Sequence, residues 1–222
     1  SIPYSYQSPY SFYETNAMGT MNVLLEAREQ QIEKLVQMSS SEVYGSALVP
    51  CMDEEHPLKG QSPYAASKIA ADKAAEAFVF SYGVPVVTAR PFNTFGPRQS
   101  ERALIPSVII QVLRGGPVKL TSRDTRRDFT YVQDTVRGLM LVAEKGQPGR
   151  AYNLASGVDV SSMDMAVRIM KVLGANLPVQ YDVARDRPLA SEVLRLCGDA
   201  GLARRELGWM PATSMEEGLV AT

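Results

Sequence analysis

Apolar positions along the chain follow two rhythms, and the alternation between them sketches the fold. Met18, Met21, Leu24, Leu25 and Ala27 recur at helical spacing, which predicts an amphipathic helix over Asn16 to Glu29. Lys34-Leu35-Val36-Gln37-Met38 is too short for a helix and reads as a buried strand. The Pro, Gly and charge content from Pro50 to Pro63 predicts a long surface excursion, after which the alanine-rich stretch Ala65 to Tyr82 reads as helix. Val84 to Arg90 is strand-like, with Pro85 tolerable only near its beginning. Strand, helix and strand in this order predict a parallel sheet. Beyond Gly96 the pattern is mixed: a helix around Ile105 to Arg114, a strand at Val118-Lys119-Leu120 and a helix over Val132 to Glu144. A strand at Tyr152-Asn153-Leu154-Ala155 and a helix Met163 to Leu173, capped by Ser161 or Ser162, follow. The opening residues are rich in Tyr, Ser and Pro and take no element in this reading.

Composition narrows the picture without selecting a function. The 222 residues, 45% of them hydrophobic, suffice for a substantial core. With 23 basic and 24 acidic side chains the net charge is −1, so nothing points to nucleic acid or an anionic membrane as partner. Cys51 and Cys197, with the single histidine His56, offer neither a disulfide framework nor a zinc site, and a reducing, cytoplasmic setting fits best. No apolar run of about 20 residues and no signal-peptide pattern is present, which predicts a soluble protein.

Chemistry concentrates in two short segments. In Tyr64-Ala65-Ala66-Ser67-Lys68 the tyrosine and lysine share one helix face. A lysine ammonium there would favour the phenolate and lower the phenol pKa toward working pH, making a general base. Taken alone, the same spacing is common on solvated helix faces. Ser39-Ser40-Ser41-Glu42 follows the first strand at its carboxyl end, where open α/β sheets place their ligands. A hydroxyl there can bridge substrate and Tyr64, and a carboxylate can take a carbon-bound proton made acidic by a neighbouring ketone; the plain alternative is a serine-rich turn with Glu42 solvated.

Ser39-Ser40-Ser41-Glu42-Val43-Tyr44-Gly45, then Ser62-Pro63-Tyr64-Ala65-Ala66-Ser67-Lys68, then Arg90-Pro91-Phe92-Asn93-Thr94-Phe95-Gly96-Pro97-Arg98 resemble the extended short-chain dehydrogenase family of nucleotide-sugar epimerases and dehydratases. The resemblance extends to Asn16-Ala17-Met18-Gly19-Thr20, to Arg127-Asp128-Phe129-Thr130-Tyr131-Val132-Gln133-Asp134 and to Leu207-Gly208-Trp209, nearly the whole chain. It implies an α/β fold: a Rossmann-like parallel sheet with a smaller mixed α/β substrate-binding domain. It makes Tyr64 the base and Lys68 its partner on the nicotinamide ribose, and it gives Ser40 the hydroxyl that bonds the reacting sugar oxygen. Ser41 and Glu42 complete the catalytic set. Ser39, Pro91 and Phe92 fall on the NAD side. Asn93, Arg98, Leu104, Ile105, Pro106, Lys119, Arg127 and Arg187 fall on the nucleotide-sugar side, the arginines suited to a diphosphate.

The hydroxyl-Ser-Glu order resembles GDP-mannose-type 4,6-dehydratases and UDP-glucuronate decarboxylases and argues against simple 4-epimerisation. Ser41 stands where dTDP-glucose dehydratases carry an aspartate. The stretches Asp53 to Pro63 and Gly96 to Ser100 are similar to dehydratases of the legionaminic-acid pathway, which act on nucleotide-linked N-acetylhexosamines. The Gly-rich turn that cradles the NAD pyrophosphate has no counterpart: Gly19 is the only glycine before Gly45. The expectation is therefore a chain that begins mid-domain, with residues 1–95 and a return segment near 131–156 completing the NAD-binding sheet and 96–222 mainly binding the sugar nucleotide. A homodimer through the helices near 16–29 and 65–82 is implied. A sibling epimerase or decarboxylase, or a non-catalytic nucleotide-sugar-binding fragment, stays open as an alternative.

Overall fold

The computed structural model describes residues 2–121, 125–182 and 188–222. Helix α1 (Ile2–Gln7), α2 (Pro9–Phe12), a π-helical stretch (Tyr13–Met18) and α3 (Gly19–Glu29) precede β1 (Leu35–Met38) and a 3-10 turn (Ser41–Tyr44). Helix α4 (Pro63–Tyr82), β2 (Val86–Pro91), β3 (Asn93–Phe95), α5 (Leu104–Leu113) and β4 (Val118–Leu120) follow. The rest comprises β5 (Arg126–Tyr131), α6 (Val132–Lys145), β6 (Ala151–Leu154), β7 (Asp159–Ser161), α7 (Ser162–Val172), β8 (Val179–Tyr181), a 3-10 turn (Leu189–Ser191), β9 (Arg195–Leu196), α8 (Gly201–Leu207) and α9 (Met215–Val220).

Local chemistry sets the limits of the element that matters most. Ser62 caps α4 by accepting from the Ala65 amide at 3.1 Å, and Pro63 occupies the first turn, where its missing N–H costs nothing. Gly83, left-handed at φ 68°, ends the helix. Strands β1, β2 and β6 form a parallel sheet in that order, with Leu35 opposite Val86 and Thr88 opposite Ala151. Period-two alternation sends Val86 toward Leu24, Ala75 and Phe78 of α3 and α4, and Val87 and Ala89 toward Val142, Leu207 and Trp209 on the α6 and α8 side. In a second sheet β5 lies parallel to β3 and β9 and antiparallel to β7, while β4 pairs with β8. Phe95, Ile105, Phe129, Tyr131, Met165 and Ile169 fill the core under α5 and α7. Between the sheets, Tyr44, Met52, Phe92, Ala155 and Leu196 form the layer behind the chemistry.

Three expectations change. Helix begins at Ile2 rather than Asn16, because Pro9 takes a first-turn position instead of breaking the chain. Strand β1 is only half-buried, with Met38 45% exposed, since it lies at the edge of its sheet. Cys51 and Cys197, set apart as unpaired, are bonded to each other. The bridge between Met52 and Gly198 lays the two segments side by side across a sequence separation of 146.

Candidate active site

The parallel pairing of β1 and β2 delivers Ser39 and Phe92 to the same end of the sheet. Ser39 is fixed by its amide on the Ala89 carbonyl at 2.8 Å, and Phe92 by its amide on the Leu154 carbonyl at 3.0 Å. The chain then turns: Ser40, extended at φ −160°, accepts the Glu42 amide on its hydroxyl at 3.2 Å, and Ser41, Glu42, Val43 and Tyr44 are buried in the short helix that follows. Gly45 closes the turn at φ 66°, with Gln61 Oε1 2.6 Å and the Lys59 carbonyl 2.9 Å from where a β-carbon would lie.

Helix α4 presents Tyr64 and Lys68 to this turn. Ser40, Glu42 and Asp72 are the polar neighbours that act on the Tyr64 phenol. Phe12 meets the Tyr64 ring edge-on at 6.1 Å, and Lys68 donates to the Met38 carbonyl at the end of β1. Burial pushes the Tyr64 phenol above its ordinary value, Ser40 pulls it down, and Glu42 and Asp72 push it up again. The expectation of a phenol lowered by Lys68 is therefore corrected. The ammonium turns toward the Met38 carbonyl, and burial holds its own pKa below the usual lysine range, opposed by Asp72.

Of the residues assigned to NAD, Ser39 is buried with its hydroxyl on Asp72 at 2.8 Å, and Pro91 is half-buried at the end of β2. Phe92 is buried, its ring stacked on Tyr44 at 6.3 Å and close against Gly198, where a β-carbon would come within 2.6 Å of the ring. Of those assigned to the sugar nucleotide, Asn93, Leu104, Ile105, Lys119 and Arg127 line one cavity of about 430 Å³. Arg98, exposed at φ 65°, and Pro106 are not among its lining residues, and Arg187 lies outside the described residues.

The cavity also takes residues that the sequence did not single out, notably Gln99, Arg102, Thr125 and Glu192. Asn93 Oδ1 and Gln99 Oε1 are buried there without a hydrogen-bond partner, two acceptors that a ligand N–H or O–H would satisfy. Asn16 was quoted only as part of a matching stretch. The π-helical stretch that carries it accompanies a bond of Nδ2 to the Ser67 hydroxyl at 2.9 Å, and Ser67 in turn donates to the Tyr64 carbonyl at 2.8 Å. Asn16 follows the polar pair Glu14 and Thr15, and no local pattern marks it in the sequence.

Comparison with known proteins places this geometry. A dTDP-glucose 4,6-dehydratase from Streptomyces niveus is 35% identical over 219 residues, which cover 97% of this chain and 63% of that protein. The chain thus spans less than two thirds of that relative's length. The solved structure of DesIV, a dTDP-glucose 4,6-dehydratase from Streptomyces venezuelae with NAD bound, superposes with a TM-score of 0.91 at 32% identity, over 99% of this chain and 68% of that one. A UDP-glucose 4-epimerase from Thermotoga maritima superposes with a TM-score of 0.92 at 26% identity, over 100% of this chain and 72% of that one, so backbone likeness does not by itself select the reaction. The family model for GDP-mannose 4,6 dehydratase matches residues 1–222, and with the Ser40, Glu42, Tyr64 and Lys68 constellation at the sheet's carboxyl end the chain belongs to that family.

Proposed function

We propose that the chain is the catalytic and substrate-binding part of an NAD-dependent nucleotide-sugar 4,6-dehydratase, a lyase. The observation that carries this reading is the buried Glu42 carboxylate in the same short turn as Ser40, both acting on the Tyr64 phenol. A carboxylate at this place serves an elimination, which an epimerase does not perform. The site's donor set suits the nicotinamide ribose of NAD: the half-buried Lys68 ammonium and the Tyr64 phenol lie together at the carboxyl end of β1, with Pro91 at the end of β2. NAD, held there by Tyr64, Lys68 and Pro91, would supply a reversible store for the hydride exchanged with the sugar. Tyr64 takes the proton of the hydroxyl on carbon 4, and Ser40 holds that oxygen. The ketone so formed acidifies the proton on carbon 5; Glu42 removes it and passes it to the hydroxyl that leaves carbon 6 as water, and when hydride reaches carbon 6 a solvent proton is taken up at carbon 5. Asn93, Leu104, Ile105, Lys119 and Arg127 hold the nucleotide diphosphate in the 430 Å³ cavity.

Ser41 in place of an acid counts against dTDP-glucose, and the stretches Asp53 to Pro57, Gln61 to Pro63 and Gly96 to Ser100 support a nucleotide-linked N-acetylhexosamine; the relatives' names support dTDP-glucose. One experiment decides between them and tests the whole reading. The full-length protein is incubated with NAD and a panel of UDP-, GDP-, CDP- and dTDP-sugars, and products are weighed by mass spectrometry. Loss of water supports the dehydratase; loss of carbon dioxide, or no mass change with inverted stereochemistry, replaces it by a decarboxylase or an epimerase. Residues 1–95 with 131–156, and 96–222, are the cofactor and substrate parts in this reading. Exposed Met18, Val23 and Leu25 near α3 and Phe80 and Tyr82 on α4 support a homodimer through these helices. Sedimentation showing only monomer at micromolar concentration would count against it. Among the described residues no helix is long and apolar enough to cross a membrane; a cytoplasmic location remains the proposal, and there the Cys51–Cys197 bond would be open to reduction.

A further inference from the structure

The catalytic groups come from two separate pieces of chain, Tyr64 and Lys68 from helix α4 and Ser40 and Glu42 from the turn after β1. Both ends of that turn lead to one buried ion pair. Ser39, immediately before Ser40, donates its hydroxyl to Asp72 Oδ2 at 2.8 Å. Tyr44, two residues after Glu42, accepts on its hydroxyl from Arg90 Nη1 at 3.0 Å, and the Arg90 guanidinium lies 5.1 Å from the centre of the Tyr44 ring. Arg90 Nε reaches the same Asp72 oxygen at 3.2 Å. Asp72 sits four residues beyond Lys68 and eight beyond Tyr64, so helical periodicity carries it down the same side of α4. The side chains of Asp72 and Arg90 are 4% and 9% exposed, and neither lines the cavity that holds Asn93 and Arg127.

We propose that the Asp72–Arg90 pair is a positioning clamp that holds the Ser40–Glu42 turn against Tyr64 and Lys68, acting on the rate of reaction and not on substrate binding. The chemical consequence rests on the dehydratase reading; the clamp itself rests on the bonds above. Stability alone does not account for the arrangement. A buried ion pair is often replaced by apolar residues of similar volume with no loss of stability, and Asp72 Oδ1 is buried here with no hydrogen-bond partner. What an apolar pair cannot do is hold the Ser39 and Tyr44 hydroxyls at once. Arg90 is matched to this by its planar fork, one nitrogen on Asp72 and another on Tyr44.

Two variants of the full-length protein test the clamp. Arg90→Lys keeps the charge and loses the fork, and the double substitution Asp72→Leu with Arg90→Met swaps the pair for apolar side chains. Both are expected to lower kcat about 10²-fold, the scale of a misplacement near 1 Å, with KM for the nucleotide sugar unchanged. Hydrogen exchange read by mass spectrometry should rise in peptides covering 39–45 and stay level in those covering 104–120. Wild-type kcat in a soluble double variant overturns the clamp, and so does a loss of kcat accompanied by raised KM and faster exchange throughout. Absence of turnover by the unsubstituted protein on every nucleotide sugar would sink the dehydratase reading alone. Exchange then still decides the clamp, a rise confined to 39–45 supporting it and an unchanged turn overturning it.

Discussion

Glu42 and Ser40 sit two residues apart in one turn but act on the Tyr64 phenol with opposite sign, which makes them separable by experiment. Positioned acid–base groups contribute about 10²–10⁴-fold in rate, so Glu42→Gln is expected to slow water loss by that factor while sparing oxidation at carbon 4. Reduced cofactor should then accumulate, visible by its near-ultraviolet absorbance; wild-type turnover in this variant would make the carboxylate structural. Ser40 is the one neighbour that pulls the phenol down against burial. Removing it in Ser40→Ala should raise the Tyr64 pKa further. The measurement is a spectrophotometric phenolate titration of Ser40→Ala with its own Tyr64→Phe double variant as blank, compared with the same pair in the wild-type background. A lower value in Ser40→Ala would mean that Ser40 does not act in this way. Ser40, Glu42, Tyr64 and Lys68 could be proposed from the sequence because short motifs carry their own geometry. Asp72 and Arg90 could not, since an acid in a helix and an arginine in a strand look like ordinary surface charges until the sheet buries them against each other.

Helix α4 is the element on which the site depends, and its sequence announces its start: Ser62 caps it, Pro63 opens it and Tyr64 follows at once. Ser62→Ala removes the acceptor for the Ala65 amide at 3.1 Å and is expected to cost about 1 kcal/mol, read as a lower urea midpoint with an unchanged slope. Equal midpoints would show that the cap is replaced by another acceptor. Elements of this kind, long and periodic with marked ends, follow from sequence; α5, α6, α7 and the strands at β1, β2, β4 and β6 lie where the apolar pattern puts them. Strands β3, β7, β8 and β9, of two or three residues each, do not, because so short a segment has no period of its own and becomes a strand only when a neighbour pairs with it. The aromatic, proline-bearing start hid α1 and α2 for a related reason, since proline's meaning depends on where in a helix it falls.

At the scale of the molecule, contacts distant in sequence tie the pieces together. Asp134 accepts the Ala212 and Thr213 amides at 3.0 and 2.9 Å and its carbonyl takes Trp209 Nε1 at 2.9 Å, fastening the C-terminal segment to α6. Asp128, fully buried, accepts from the Ser156, Gly157 and Gly198 amides and so holds β5, the turn after β6 and the segment beyond β9 together. Next to it the Cys51–Cys197 disulfide closes a long loop. Cross-links over loops of this length stabilise by about 2–4 kcal/mol, chiefly through the unfolded chain. Cys51→Ser should therefore lower the unfolding midpoint under non-reducing conditions, and excess dithiol should bring the parent protein down to the variant's value. Identical midpoints without reductant would refute the cross-link.

The amino-acid sequence alone placed α3 to α7, strands β1, β2, β4 and β6 and the order of the parallel pair, and it singled out the residues proposed for the reacting centre, because helix periodicity, capping and i,i+4 spacing are local properties of the chain. Only the tertiary structure decided which cysteines meet, that the Tyr64 phenol is raised by burial, that Asn93 and Arg127 share a cavity and that Asp72 and Arg90 lie behind the catalytic turn. Each of these depends on residues far apart in the chain being brought together by sheet register and on the water that their meeting excludes, and neither quantity is written in any one segment.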